Sequence, residues 1–306
     1  MQFLYSLVCL SIACSAVCEA QDPDSARDWA SLIGQRYESI REIPYKNIGG
    51  FQAKVDVYTR YDRKPGPTMV YIHGGGWANG SKDQWNLWLL PYLQLGMRVV
   101  SVQYRLAGVA PAPAGLKDCR CALAWVFQNA AKYGFDPAKI AITGGSAGGH
   151  LILMTAFLRS SDGFDDECPG ANPGSVRAVI DYYGPTDLAS AFDRKNKDVL
   201  GWLKGTENSR ELASRLSPLR YVRNGLPPVL MIHGDADEMV PYEDSIKLRD
   251  ALTAAHVPNQ FVSIFGGKHG RFQWSDADTI RVQRAIEAFL NSNQLTEPAT
   301  SVLKSK

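Results

Sequence analysis

The chain lacks the features that mark membrane-spanning, nucleic-acid-binding and metal-binding proteins. It contains no run of about 18 or more apolar residues, so we expect no membrane-spanning helix. Its formal net charge is only +2, from 33 basic and 31 acidic residues among 306, and the basic residues are dispersed, so we expect no nucleic-acid partner. Cys119 and Cys121 do not form a metal-type pair, and we predict neither a metal nor a cofactor. With 45% hydrophobic residues, the chain can instead bury one large core.

The first twenty residues differ in composition from the rest. Residues 3–17 form a mainly apolar stretch with many small residues, and Cys18-Glu19-Ala20 follows it before a polar stretch. This pattern predicts a signal peptide over residues 1–20 that is cut after Ala20. No Lys or Arg precedes the apolar residues, and a first buried helix is the alternative interpretation. We therefore expect a secreted or periplasmic protein.

Few cysteines remain after such a cut. Cys119 and Cys121 lie two positions apart on a predicted helix, so they point to different faces and cannot bridge each other. Either one could pair with Cys168 in an exported protein, and the sequence leaves that pairing open.

The most informative stretch is IAITGGSAGGHL, at residues 140–151. It places Ser146 between glycines, directly after a β-branched run and directly before an apolar helical run. In a Gly-x-Ser-x-Gly turn the backbone bends so sharply that side chains two residues either side of the serine would collide, and Gly144 and Gly148 occupy those places. The pattern predicts a nucleophile elbow, with the amide of Ala147 facing the same space as the serine.

Three further motifs, one before Ser146 and two after it, lie at the ends of predicted strands in the chain order glycine run, serine, acid, base. The sequence VYIHGGGW at 70–77 ends a strand in glycines, whose amides can approach a ligand oxygen closely. A later strand leads into a loop with the acid Asp237, and the next strand leads into a glycine loop with His269. Because loops that follow parallel strands share one edge of the sheet, this order predicts that the side chains of Ser146, Asp237 and His269 converge.

These residue types have complementary chemical roles. A serine hydroxyl is a poor nucleophile at neutral pH, and a neutral imidazole removes its proton during attack while a carboxylate holds the imidazole in the right tautomer. Backbone amides of the glycine run and of Ala147 would stabilise the negative oxygen that forms. Asp235 is the alternative to Asp237 as the acid, but its position falls within the turn.

Strand and helix patterns alternate along the chain, which predicts a doubly wound, mostly parallel α/β sheet with helices on both faces. We expect one domain over residues 21–306. The stretch 182–228 has no convincing strand and is expected to form a small helical lid, and 294–306 a loose tail. Predicted strands occupy residues 53–59, 68–72, 98–104, 140–143, 176–181, 228–232 and 260–264, and predicted helices occupy 116–132, 146–159, 242–255 and 276–291.

At these motifs the chain resembles the α/β-hydrolase superfamily, and in particular secreted carboxylesterases of the BD-FAE-like and hormone-sensitive-lipase-like groups. The resemblance covers about residues 43–293. It implies that Ser146 is the nucleophile, Asp237 the acid and His269 the base, and that Gly75, Gly76 and Ala147 form an oxyanion hole. The motifs that carry it are IHGGGW, QYRLA, GGSAGGHL, YGPTDL, HGDADEMVPY and GGKHG. The long N-terminal cap of typical hormone-sensitive-lipase relatives is missing.

The sequence is less specific about the substrate. The leading hypothesis is a serine esterase that acts through an acyl-enzyme on short-chain or aromatic acyl esters, such as acetyl or feruloyl groups on carbohydrate. An amidase, formamidase or exopeptidase with the same three residues is the alternative, and a non-catalytic binding module is a third. Four tryptophans, Trp77, Trp85, Trp88 and Trp202, are candidates for the substrate cleft or for the core. The oligomeric state is left open.

Overall fold

The computed structural model describes residues 31–168 and 176–296. Within these ranges eight strands form one sheet: β1 (Tyr37–Ile48), β2 (Phe51–Arg60), β3 (Gly66–Ile72), β4 (Arg98–Val102), β5 (Phe135–Gly145), β6 (Val176–Tyr182), β7 (Val229–Gly234) and β8 (Asn259–Ile264). Their spatial order is β1-β2-β4-β3-β5-β6-β7-β8. β2 pairs antiparallel with β1 and β4, and the remaining pairs are parallel. The predicted mostly parallel sheet is therefore confirmed.

Helices follow most of the parallel strands, as the alternating pattern predicts. They are α1 (Leu90–Gln94), α2 (Ala114–Gln128), α3 (Ala130–Tyr133), α4 (Ala147–Phe157), α5 (Leu188–Asp193), α6 (Lys197–Trp202), α7 (Ser209–Arg215), α8 (Tyr242–Ala254) and α9 (Asp276–Ser292). Residues 31–36 are also helical. Short 3-10 turns occupy Asn86–Leu89, Ser160–Asp162, Pro218–Tyr221 and Arg271–Gln273.

The two faces of the sheet carry separate apolar cores. One core packs α2, α4 and α8 against side chains such as Val70 and Ile142. The other packs α1 and α9 against their neighbours on the strands, such as Met69 and Ala141. Because successive strand residues point to opposite faces, the continuous apolar runs of β3 and β5 contribute side chains to both cores. Helices therefore cover both faces, as expected for a doubly wound sheet.

The strand that sequence analysis missed is β1. None of its residues is fully buried, and its pairing with β2 shifts register between Ile40 and Ile43 and again between Pro44 and Lys46. Each shift breaks the alternation of apolar and polar residues by which a half-buried strand is recognised. An edge strand of this kind leaves only a weak pattern in the sequence.

The stretch expected to be a lid does consist of short helices, α5 to α7. Charged side chains such as Asp193 and Lys195 are exposed there, while Val199 and Trp202 are buried. At the start of the expected loose tail, Leu295 is fully buried against α9. Residues 297–306 and the predicted signal peptide, residues 1–20, lie outside the described residues.

A disulfide joins Cys121 of α2 to Cys168. Cys119, two positions away, is buried and free, so Cys121 is the partner that the sequence left open. The part of the chain that is described has no helix long and apolar enough to cross a membrane.

Candidate functional site

Ser146 lies at the turn between β5 and α4 with φ 57° and ψ −126°, a strained conformation for a residue with a side chain. The glycines two positions away permit this turn. A Cβ on Gly144 would lie 2.6 Å from the carbonyl oxygen of Ile72, and one on Gly148 would lie 2.3 Å from the same oxygen. The predicted elbow geometry is therefore present, and it needs glycine at both places.

The structure brings together the three side chains that the sequence singled out. The hydroxyl of Ser146 lies 3.0 Å from Nε2 of His269. Nδ1 of His269 lies 2.7 Å from Oδ2 of Asp237. When the Nδ1–H group of the neutral imidazole donates a hydrogen bond to the carboxylate, Nε2 carries no proton and can accept one from the serine hydroxyl. This arrangement can move a proton from the serine to the imidazole.

The carboxylate of Asp237 is fully buried and well supplied with donors. Besides His269, its Oδ2 accepts from Nε2 of His233 at 3.2 Å, and its Oδ1 accepts from the amides of Met239 at 2.8 Å and Val240 at 3.0 Å. Burial alone would raise the pKa of Asp237, but the hydrogen bonds from His233 and His269 hold that pKa well below its usual range. The group therefore carries a negative charge at neutral pH.

Asp235, the alternative acid, lies elsewhere. Its carboxylate is exposed and accepts from the amide of Gly266 at 2.6 Å. That contact ties together the two loops that carry Asp237 and His269, and within the described chain Asp235 has no hydrogen bond to His269. The structure thus favours Asp237 as the partner of the imidazole.

The glycine run after β3 lies against the elbow. A Cβ on Gly74 would come within 2.6 Å of the carbonyl oxygen of Gly145, and Gly75 has φ 113°. Gly75, Gly76 and Ala147 line the space around Ser146. Their amides donate to no other group in the described chain. They are free to donate to an oxygen on a bound ligand.

Two other histidines near the elbow serve the framework. His73 contacts the carbonyl oxygen of Gly74 at 2.8 Å and stacks on Tyr104. His150 is hydrogen-bonded to the carbonyl oxygen of Leu216 at 2.7 Å and accepts from the indole of Trp77 at 3.2 Å. Burial lowers the pKa of each imidazole to about 4, so both are neutral at pH 7. Neither side chain is hydrogen-bonded to Ser146 in the described chain.

The open cleft beside Ser146 has a volume of about 350 Å³. Trp85, Trp88 and Phe272 form its apolar wall, and the rings of Trp85 and Phe272 lie nearly parallel, 6° apart, with centroids 6.4 Å from each other. The other two candidate tryptophans, Trp77 and Trp202, are buried and stack on each other with centroids 4.8 Å apart. Trp202 belongs to the core beneath the lid, and Trp77 also lines a narrower recess beside Ser146.

Sequence analysis did not assign a role in the site to His233, Tyr183 or Arg271, which lie in it or beside it. His233 donates from Nε2 to Asp237, and Nδ1 of His233 lies 2.7 Å from the hydroxyl of Ser245. Tyr183 packs its ring 4.7 Å from the ring of His269. Arg271 follows His269 by two positions. His233 and Tyr183 lie within quoted motifs, but a contact across the sheet edge leaves no spacing signal in the sequence.

Within residues 31–168 and 176–296 no group of three or more His, Cys, Asp or Glu side chains is placed to hold a metal ion. The reacting groups present are a hydroxyl, an imidazole, a carboxylate and free backbone amides. Such a set suits attack on a carbonyl carbon followed by stabilisation of the resulting oxyanion.

Comparison with known proteins identifies the family. The sequence model of the BD-FAE family matches residues 55–252, which is more than half of the chain. The chain belongs to the BD-FAE family. The resemblance to α/β-hydrolase carboxylesterases is thereby confirmed.

Curated and solved relatives agree with this assignment. Esterase LipQ of Mycobacterium tuberculosis is 33% identical over 263 residues, which cover 81% of this chain but only 60% of LipQ. A thermophilic esterase from Thermogutta terrifontis, Est2 with propionate bound, has 26% identity and a TM-score of 0.70, covering 87% of this chain and 97% of its own. A truncated carbohydrate esterase from gut microbiota has 27% identity and a TM-score of 0.70, covering 85% and 97%.

Proposed function

We propose that this protein is a serine carboxylic-ester hydrolase that acts through an acyl-enzyme. The observation that carries the proposal is the continuous hydrogen-bond path from Ser146 through His269 to a charged, buried Asp237, with distances of 3.0 and 2.7 Å. The esterases among its relatives support the same reaction class.

The mechanism follows from the positions of these groups. As the hydroxyl of Ser146 attacks the ester carbonyl, Nε2 of His269 takes its proton, and Asp237 stabilises the imidazolium. The amides of Gly75, Gly76 and Ala147 receive the developing negative oxygen. The imidazolium then protonates the departing alcohol, and a water activated by the same imidazole releases the acid.

The two recesses beside Ser146 would hold different parts of the ester. The leaving alcohol must be close to His269, so it occupies the broad cleft, whose wall includes His269 and Phe272. A second, narrower recess is lined by Ala147 and Val199 and is not lined by His269. That recess would take the acyl group, and its size favours a short acyl chain.

The substrate class follows from these two spaces. We propose acetyl to butyryl esters of a ring-shaped alcohol, because the broad cleft offers the flat apolar faces of Trp85, Trp88 and Phe272 and such faces suit sugars and aryl rings. A carbohydrate ester fits this description, and one structural relative is a carbohydrate esterase. A bulky feruloyl acyl group would require the narrow recess to widen.

The reaction is tested with the variants Ser146→Ala and His269→Ala on a nitrophenyl acetate substrate. Each should lose essentially all turnover, and the double variant should be no slower than either single one, because the two residues act as one unit. Ser292→Ala, on the surface of α9, is the control. A fluorophosphonate probe should label the wild type and not Ser146→Ala. Hydrolysis of acyl anilides in preference to esters would point to an amidase instead.

The acyl preference is tested with nitrophenyl esters of two to sixteen carbons, roughly the range that separates esterase from lipase pockets. The value of kcat/KM should be highest at the short end and fall sharply beyond about eight carbons. A maximum at the long end would contradict the proposed narrow acyl recess.

We also propose that the protein is exported after cleavage behind Ala20. The disulfide between Cys121 and Cys168 supports an oxidising compartment, where such bonds persist. N-terminal sequencing of secreted material should begin at Gln21, and a retained Met1 would contradict the proposal.

A further inference from the structure

A small recess opens from the broad cleft on the side of α1. It shares Tyr71, Trp88 and Gly145 with the cleft, and Arg271 and Tyr182 form its far wall. We call this space the annex. Arg271 lies two residues after His269, so the annex adjoins the part of the cleft that would hold the leaving alcohol.

The guanidinium of Arg271 has no anionic partner in the described chain. It lies over the ring of Trp88 at 4.2 Å and over that of Tyr182 at 5.2 Å. Its one hydrogen bond there is to the hydroxyl of Tyr182, at 3.2 Å. Since an arginine carries five N–H donors, four remain available.

Two other shielded arginines, Arg105 and Arg120, are paired with carboxylates. Arg105 binds the carboxylate of Asp118 at 2.8 Å, and Arg120 binds that of Asp165. A shielded cation without such a partner is costly. The contrast indicates that Arg271 is kept for an anion that comes from outside the chain.

A second donor faces the annex. The hydroxyl of Tyr71 makes no hydrogen bond to any described residue, although its side chain is only 5% exposed. A planar carboxylate suits this pair of donors, because guanidinium binds it through two parallel hydrogen bonds and the hydroxyl can supply a third. The charged side chains that line the rest of the cleft, Lys197 and Asp198, belong to the lid.

We propose that the annex binds a carboxylate carried by the alcohol part of the ester, through Arg271 and Tyr71. This inference rests on the proposed esterase function. The preferred alcohol is then a ring that bears an acid group, such as a sugar acid or a hydroxybenzoate.

The test compares two acetyl esters of the same shape, 4-acetoxybenzoate and neutral 4-acetoxybenzamide, together with their 3-substituted isomers. The ratio of kcat/KM for the anionic ester to that for the neutral ester should exceed one in the wild type for at least one isomer. In Arg271→Gln this ratio should fall roughly 10- to 100-fold, the size expected for losing a hydrogen-bonded charge pair. Arg271→Lys and Tyr71→Phe should give intermediate ratios.

Matched controls separate a local site from a general charge effect. Arg281→Gln removes the same charge from the surface of α9, outside the cleft, and should leave the ratio as in the wild type. An equal fall in Arg281→Gln would contradict the proposal. The ratio of kcat/KM to that of the neutral ester should be smaller for the bulkier anion 4-acetoxybenzenesulfonate than for the carboxylate. A larger ratio for the sulfonate would contradict the assignment to a carboxylate.

Binding gives a readout that does not need catalysis. In Ser146→Ala, titration calorimetry should show tighter binding of the anionic ester than of the neutral one, and the double variant with Arg271→Gln should lose this difference. If the wild type hydrolyses the neutral ester and no preference depends on Arg271, the annex proposal alone is wrong. If it hydrolyses neither ester, the esterase proposal is wrong and the titration still decides whether the annex binds carboxylates.

Discussion

Two buried carboxyl groups at the same edge of the sheet differ in how readily they ionise. Asp237, in the loop after β7, has a fully buried side chain and accepts hydrogen bonds from four donors: the side chains of His233 and His269 and the amides of Met239 and Val240. Asp181, on β6, is also fully buried, but it accepts from the amide of Gly184 alone, and its second oxygen has no partner in the described chain.

Both side chains are buried, so the difference between their pKa values follows the hydrogen-bond donors around them. The pKa of Asp237 is held well below its usual range, whereas burial raises the pKa of Asp181 to about 7. Burial disfavours the charged form of both groups, and only hydrogen bonds to that form offset the cost. The comparison teaches that the molecule maintains a charge at the site by arranging donors around it, whereas a buried acid with a single donor is only about half ionised at neutral pH.

Removing the charge of Asp237 should have the largest effect. In Asp237→Asn the side-chain amide can donate to Nδ1 of His269, which favours the wrong tautomer, so kcat for ester hydrolysis should fall on the order of 10⁴-fold. Asp235→Asn, in the same loop, should change kcat far less because Asp235 contacts the amide of Gly266. Steady-state kinetics check both variants. A larger loss of kcat in Asp235→Asn than in Asp237→Asn would identify Asp235 as the acid instead.

Removing one donor from Asp237 should have an intermediate effect. We regard His233 as a positioning residue, because it touches Asp237 and not the serine. His233→Leu should lower kcat about 10-fold, as expected for losing one hydrogen bond to a charged group, with little change in KM. His233→Gln keeps a donor near the same place and should restore much of the loss. Thermal unfolding of both variants provides the control, and equal losses in kcat would argue for a merely structural role.

Replacing the buried carboxyl group of Asp181 by a neutral amide should have the smallest effect, and it should stabilise the folded protein. The folded-state pKa of about 7 lies above the usual 3.8, so the folded protein binds more protons than the unfolded chain between these values, and stability is lost as the pH rises through that window. Asp181→Asn keeps an acceptor for Gly184 and should raise the free energy of unfolding at pH 8 by about 2 to 4 kcal/mol.

Denaturant unfolding at two pH values checks this prediction. The gain should shrink to less than about 1 kcal/mol at pH 4, where the wild-type carboxyl is protonated in the folded state. Asp250→Asn, at an exposed position on α8, is the control and should show little change at either pH. A gain for Asp181→Asn that is independent of pH would show that charge is not its cause.

The sequence predicted the elbow and the three convergent side chains because each depends on local rules. Glycines at 144 and 148 are required by the turn itself, and strand, loop and helix patterns place Ser146, Asp237 and His269 at the same sheet edge. The missed edge strand β1 shows the limit of such patterns, since its register shifts hide the alternation. The tryptophans show another limit, because the sequence did not distinguish the buried Trp77 and Trp202 from the cleft residues Trp85 and Trp88.

The sequence by itself determined the fold class, the family and the chain order of the candidate site residues, since these depend on periodicity and on short motifs. Only the tertiary structure decided which donors surround each carboxylate, which tryptophans face the cleft, and that Arg271 lacks an anionic partner among the described residues. These properties arise between residues far apart in the chain. Burial and hydrogen bonding change the energy of a charge only through the groups that folding brings within a few ångströms of it.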